Sequence, residues 1–431
     1  MALTGRAALA ALAGVLVVAL VAPSWAGVLV VQGLLAVAVA VDVALAAPVG
    51  RLRMHRTGDT SVRLGESAGV TLAVANPGPR GLRGWLRDAW PPSAGARPRQ
   101  HRLDVPAGHT QRLALDLHPT RRGDRTADRV TVRAVGPLGL AARQGTHRVP
   151  WTVRVLPAFP SRRHLPALLA RLRAIEGRVA TLVRGPGTEL DSLREYVPGD
   201  DVRAIDWRAS ARRADVMVRT WRPERDRQVL VVLDTGRTSA GRVGDVPRLD
   251  AALDAALLLA ALAARAGDRV GLVAHDRRLR AYVGYRTRAE LLPNLVQAVS
   301  RLEPDLVETD MRGLVSAVLR RAGRRSLVVL FSTLDAAPVE EGLLPVLPLL
   351  TGRHTVLLAS VADPAVEAMA EGRGDAPAVY AAAAAEQTRA ERARVTAVLG
   401  RLGVVVVHAA PDRLPRAVSD AYLQLKEAGR L

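Results

Sequence analysis

Two apolar runs open the chain, one over roughly residues 7–22 and one over roughly 27–47, parted by Pro23-Ser24-Trp25-Ala26. Both are apolar on every side, the pattern of helices that lie in hydrocarbon. The second is long enough to cross a bilayer, and the first is at the short end of the spanning range. From about Thr60 to Leu156 the pattern shortens to alternating runs broken by Gly, Pro and Asn, at 69–74, 111–117, 129–133 and 151–155. Period-two runs between turn signals predict a small antiparallel β-sandwich over 60–156. From Gln228 onward strands and helices alternate. Val229-Leu230-Val231-Val232-Leu233 runs unbroken into Asp234, as in a strand covered on both faces. Further strands are expected at 270–274, 279–283, 326–331, 355–359 and 404–407, the second of them an antiparallel edge strand after the tight turn Asp276-Arg277-Arg278. Helices are expected at 248–266, 289–302, 311–322, 343–350, 376–399 and 414–428. The alternation predicts a doubly wound α/β domain over 228–431, with its site at the carboxyl ends of the strands.

Flanking charge orients the first fifty residues. Arg6 precedes the first run, Arg51, Arg53 and Arg56 follow the second, and the break between them is uncharged. The positive-inside rule then predicts a transmembrane helical hairpin over 1–50, with both outer ends in the cytoplasm and Trp25 at the far interface. A signal peptide cleaved near Ala26 is the alternative, and it would leave the second run as the anchor. Asp42, inside the second run, is expected at a helix–helix contact or near a helix end, rather than as a functional intramembrane acid. The expectation is therefore a multi-pass protein of the inner, cytoplasmic membrane, with most of the chain facing the cytoplasm.

Composition narrows the function classes. Of 431 residues 49% are hydrophobic, enough for sizeable cores, and only 3% are aromatic. The formal charge is +20, almost all from arginine, since Lys426 is the one lysine. Basic residues alternate with acids, and the aromatic interleaving of single-strand binders is missing, so nucleic acid is not expected as a partner. Cysteine is absent, which excludes disulfides, thiolate nucleophiles and cysteine metal sites. The histidines show no ligand spacing such as His-x-x-x-His, and no serine sits in a nucleophile elbow. No catalytic residues and no small-molecule substrate are evident.

One constellation has the chemistry of a cation site. Asp234 ends the first strand of the α/β domain, Thr238 lies four residues on, Thr309-Asp310 comes from a later loop, and Thr333 and Asp335 follow another buried strand. Carboxylate and hydroxyl oxygens converging from three loops would suit Mg²⁺, with one position left for a partner's carboxylate. Two slots are degraded: Gly236 has no hydroxyl, and Thr333 stands where an acid is usual, with Asp335 two residues late. The plainer alternative is that Asp234 and Thr238 cap the next segment. Asp200, Asp201 and Asp206 near Asp234 also raise a second functional reading, a metal-dependent hydrolase at the carboxyl-end face.

The segment 157–227 between the two β-containing regions carries the least common residues. Arg184-Gly185-Pro186-Gly187-Thr188-Glu189 leads into a run from Leu193 to Trp207 that holds Arg194, Tyr196, Pro198-Gly199-Asp200-Asp201, Arg203 and Asp206-Trp207. Ser210-Ala211-Arg212 and Arg222-Pro223-Glu224-Arg225-Asp226 follow. Composition predicts a solvated linker laced with ion pairs, with Tyr196 and Trp207 buried as anchors. Gly185–Gly187 is a weak candidate phosphate cradle, because no lysine follows and proline removes an amide donor. This run, with Asp234, resembles the signature of the family called domain of unknown function 58. Pro119-Thr120-Arg121-Arg122-Gly123, Gly136-Pro137-Leu138-Gly139-Leu140 and the two-span N-terminus are similar to that family as well. The resemblance implies a membrane protein with a von Willebrand factor A-like domain, acting as a protein-binding adaptor beside a MoxR-type AAA+ ATPase in maturation or assembly of client proteins. It implies no enzyme chemistry. It carries a metal pattern onto Asp234, Thr238 and Thr309, and it marks Arg194, Tyr196, Asp200, Asp201, Arg203, Asp206, Trp207 and Asp335 as binding candidates.

Overall fold

The structure is a computed structural model that describes residues 2–21, 23–182, 189–198, 200–213, 215–222, 227–286 and 288–431. The chain is mixed α/β and divides into two compact units, Met1–Ala158 and Phe159–Leu431.

The first unit begins with the two apolar helices, α1 (Gly5–Val21) and α2 (Trp25–Leu45). Ser24 caps α2 by accepting from the Gly27 amide at 3.1 Å. Gly14 allows close approach, since a Cβ there would stand 2.6 Å from Val31. Only the second helix is long and apolar enough by composition to cross a membrane. The end of α2 is fastened to the β-structure that follows. Asp42 is fully buried and accepts from the amides of Leu138, Leu140 and Ala141 at 2.7–2.8 Å. It is thus a helix-end residue that ties down a turn. Arg143 and Arg80 donate to the last carbonyls, those of Val43 and Ala44, satisfying groups that a helix end leaves open.

The β-structure is two packed sheets. One orders its strands Ala2–Leu3, Ala141–Leu156, Gly123–Val135, Leu82–Asp88 and Gln100–Val105, and the other Arg53–Gly58, Ala68–Ala75, Thr110–Leu117 and Ala96–Arg97. Pairing is antiparallel except that Ser61–Arg63 runs parallel to Ala141–Leu156, a connection that alternation alone does not reveal. Leu72, Leu82, Leu86, Leu103, Leu115 and Val130 fill the space between them. Arg56 does not act as a free cation beside the apolar helix, as the sequence suggests. It crosses from one sheet to the other and pairs with Asp88 at 2.6 Å, with both side chains 1% exposed.

The second unit opens with α3 (Leu165–Leu182), inside the segment whose composition reads as a linker. Leu168, Leu172 and Ile175 bury one face of it. A hairpin of Glu189–Glu195 with Met217–Arg222 follows, enclosing a one-turn-plus helix, α4 (Trp207–Arg213). The main sheet comes next, and its strands are numbered β1 (Gln228–Asp234), β2 (Arg269–His275), β3 (Leu279–Arg286), β4 (Leu327–Phe331), β5 (Thr355–Val361) and β6 (Val405–Ala409). Their order is β3-β2-β1-β4-β5-β6, parallel throughout except for the antiparallel edge strand β3. Leu230, Val232, Val328, Leu330, Val356 and Leu358 join one core cluster with residues of α7 (Met311–Leu319) and α8 (Ala376–Arg401). The intervening Val229, Val231 and Leu233 are equally buried, with α5 (Arg248–Arg265) packed on β1, β2 and β5 and α9 (Leu414–Glu427) on β5 and β6. Helix α6 (Arg288–Ser300) packs beside α5. Helices on both faces explain why these strands are continuously apolar.

Candidate functional site

Buried parallel strands end in loops that cannot continue the ladder, so polar residues there turn toward one another or toward a ligand. At the end of β1 the Asp234 side chain is almost fully buried. Its Oδ1 accepts from the Gly236 amide at 2.9 Å and the Thr309 hydroxyl at 2.5 Å, and its Oδ2 accepts from the Ser332 hydroxyl at 2.7 Å. Ser239 donates to the Asp234 carbonyl at 2.6 Å. Burial pushes the Asp234 carboxyl above its ordinary range, partly offset by the three hydrogen bonds, while the nearby Asp276 carboxylate adds to the rise. Asp276, at the end of β2, is held by the amides of Arg277 and Arg278 and by Thr235.

The expected set is thus partly assembled. Asp234 and Thr309 are bonded to each other, and Thr238 lines the same cavity of about 250 Å³ with Arg237, Glu308 and Glu341. The residue that completes the cluster is Ser332, which sequence reasoning passed over in favour of Thr333. The signal was present: Ser332 directly follows β4, as Thr235 follows β1. Thr333 instead accepts from the Asp335 amide at 3.1 Å. Gly236 is also explained. A Cβ there would collide with the Thr309 hydroxyl, so the glycine lets that hydroxyl reach Asp234. Asp310 caps α7 by accepting from Gly313.

As a cation site this is thin. The oxygens bonded together are the Asp234 carboxylate and the hydroxyls of Thr309 and Ser332, both carboxylate oxygens are already engaged, and Thr238, Glu308 and Glu341 only line the cavity beside them. Among the described residues no group of three or more His, Asp and Glu side chains could hold an ion. Hard divalent cations are drawn chiefly by carboxylates, so these residues fit a magnesium cage poorly.

Asp335 faces away from Asp234. It pairs with Arg392 of α8 at 3.2 Å and lies 3.8 Å from Arg248 at the start of α5. Burial alone would raise its carboxyl, but the Thr333 hydroxyl and the two guanidiniums hold it below the ordinary range.

The signature segment is a self-braced arm. Arg194 pairs with Asp200 at 2.5 Å, and Asp200 also accepts from the Val197 amide. Asp201 accepts from the Arg203 amide, and Asp206 caps α4 through the amides of Arg208 and Ala209. The Tyr196 amide donates to Val216 across the hairpin. Trp207 is not the buried anchor expected from sequence but is 69% exposed, and Tyr196 is only half-buried. Two strands and a short helix offer no interior large enough for an indole. Gly185–Gly187 and Pro223–Asp226 lie outside the described residues.

Comparison with known proteins places this arm and most of the sheet together. A protein of Mycobacterium tuberculosis, described as "Uncharacterized protein Rv1480", is 28% identical over 213 residues, or 46% of this chain. Its Mycobacterium bovis counterpart, "Uncharacterized protein Mb1516", matches equally. The match spans 66% of these relatives' own length. Among solved structures, the CARDB domain of the PF1109 protein from Pyrococcus furiosus is 16% identical, covering 24% of this chain and 86% of that one, with a TM-score of 0.19. Proximal thread matrix protein 1 from the mussel byssus is 12% identical, covering 47% and 46%, with a TM-score of 0.27. Residues 192–395 match the family described as "Protein of unknown function DUF58".

Proposed function

We propose that the chain is a membrane-anchored protein-binding adaptor that docks a partner on the carboxyl-end face of its main sheet. The observation that carries this is the 250 Å³ cavity beside Asp234, bounded by Arg237, Glu308 and Glu341. Its innermost polar groups are saturated by one another, which suits a rigid receptor better than a reacting centre. The strand order, with a single antiparallel edge, supports reading residues 228–431 as a von Willebrand factor A-like domain. The partner we propose is the one the resemblance implies, a MoxR-type AAA+ ATPase that matures or assembles clients. The apolar α2 supports a membrane anchor, and a hairpin with the bulk of the chain in the cytoplasm is the arrangement we propose. Mg²⁺ is optional to this reading, because the Asp234 cluster is satisfied by hydroxyls.

The test is co-purification of tagged full-length protein with a co-expressed MoxR-type ATPase. Glu341→Lys and Thr238→Arg at the cavity rim, with folding checked by circular dichroism, are expected to abolish recovery. If the ATPase is not recovered with the wild type, or is recovered equally with both variants, the docking assignment fails.

A further inference from the structure

The pocket around Asp335 contains more positive charge and more donors than its one carboxylate can use. Arg248 and Arg392 come from different helices and converge on Asp335, one at 3.8 Å, beyond direct hydrogen-bond length, and the other at 3.2 Å. The Arg248 Nε is buried and has no hydrogen-bond partner. A guanidinium presents five donors in a fixed fork, suited to two oxygens of a single oxyanion. Here the fork is left short of an acceptor, and a buried donor without one is costly. Ser332, Thr333 and Ser360 line the adjoining space together with Thr238 and Arg248. Ser332 already donates to Asp234, and the Thr238 and Ser360 hydroxyls can donate to an anion. The free space is about 20 Å³, room for one oxygen-sized group but not for a tetrahedral phosphate. The Asp335 side chain is 39% exposed, so a carboxylate reaches the arginine pair from solvent beside Asp335, and the 20 Å³ recess takes at most one of its oxygens.

We propose that Arg248 and Arg392 form a receptor for a partner protein's Asp or Glu carboxylate, with Asp335 as the internal carboxylate that holds the pair ready until the partner arrives. Two guanidiniums against one Asp335 leave a net positive pocket, which a second carboxylate neutralises. The partner's acid thus engages an arginine pair between β4 and β5, beside the Asp234 cluster rather than through an ion on it. The inference rests on the docking face proposed above and names the chemistry that face selects.

The experiment uses full-length protein in detergent micelles and a fluorescein-labelled deca-glutamate peptide, followed by fluorescence anisotropy at moderate salt, with deca-glutamine as the uncharged control. Because the chain is strongly basic, each variant has a charge-matched control on an exposed site. Arg248→Gln and Arg392→Gln are compared with Arg401→Gln, and Asp335→Asn with Asp412→Asn. Each pocket arginine variant is expected to weaken peptide binding about tenfold more than Arg401→Gln, the loss of a charge-assisted fork. Asp335→Asn is expected to strengthen binding about threefold more than Asp412→Asn, because the internal competitor is gone. The proposal is overturned if the pocket variants match their controls. It is equally overturned if inorganic phosphate displaces the peptide from wild type but not from Arg248→Gln, which would make the site a phosphate site. An ATPase that binds wild type and Arg248→Gln alike would sink this inference and leave the docking face standing. Tight peptide binding with no ATPase recovered would do the reverse.

Discussion

At the scale of single residues, the Asp234 cluster shows a carboxylate kept in place by neutral donors. Asp234→Ala leaves the Gly236 amide and the Thr309 and Ser332 hydroxyls without their acceptor, which should cost about 2–4 kcal/mol in urea unfolding. Asp234→Asn keeps one oxygen and can donate to Ser332, so its cost should be about 1 kcal/mol. The two also differ in pH dependence. Burial raises the folded-state pKa of Asp234, so the folded chain holds this proton to higher pH than the unfolded chain. Stability from this group therefore falls as pH climbs from the ordinary carboxylate range through the raised value. Asparagine cannot ionise and should flatten that slope, as urea midpoints measured across the range would show. Gly236→Ser drives a Cβ into the Thr309 hydroxyl and should cost about 1–3 kcal/mol. Thr309→Ala in the same chain should restore much of this, whereas additive losses would remove the steric account. The sequence made Asp234 and Thr309 legible because a buried strand must end at a polar group. It hid Ser332, whose neighbour Thr333 is equally polar and points elsewhere.

At the scale of elements, periodicity showed the buried strands β1, β2, β4 and β5 and helix α5 plainly, while the edge strands β3 and β6 are only partly covered. A short unbroken apolar run between turn signals suits a strand covered on both faces, and apolar residues at helical spacing suit a packed helix. The arm and α3 were obscured. Helix α3 packs one face through Leu168, Leu172 and Ile175, and the arm depends on caps and on ion pairs such as Arg194–Asp200, which composition shows as charge without showing which partners meet. Long-range ties hold α9. Lys426 lies 3.1 Å from Asp268, and the Tyr422 hydroxyl donates to the same carboxylate at 2.5 Å, all three being buried. Burial lowers the lysine's pKa and raises the aspartate's, while their mutual attraction opposes both shifts. Removing one member strands a buried charge, so Lys426→Met should cost about 3–5 kcal/mol. The double variant Lys426→Met with Asp268→Asn should lose clearly less than the sum of the two single changes. Additivity in a double-mutant cycle by chemical denaturation would show that the pair is not coupled.

At the scale of the whole molecule, the anchor is where sequence and structure constrain each other most. Charge counting assigns Arg56 to the flank of the apolar run, but the structure spends it inside the sandwich on Asp88. Arg51 and Arg53 remain exposed after the second helix, and Arg6 is exposed in the first turn of the first. Asp42 supplies an independent constraint. Its carboxylate gathers three backbone amides of the Gly136–Ala141 turn, so that end of α2 sits against folded β-structure rather than in hydrocarbon. Folded β-structure also needs its sheet edges outside the bilayer core. In the anchor we propose, the apolar stretch that can span runs from Trp25 to about residue 41, at the short end of the spanning range. Asp42→Ala frees the turn and should cost about 2–4 kcal/mol in the β-unit, read as earlier proteolysis between residues 136 and 141. The topology we propose rests on the same charges. A green fluorescent protein fused after Leu431 should fluoresce, and alkaline phosphatase at the same position should be inactive. An active phosphatase there would place the sheet outside, and a MoxR-type ATPase of the cytoplasm could then never reach the face that holds Arg248 and Arg392.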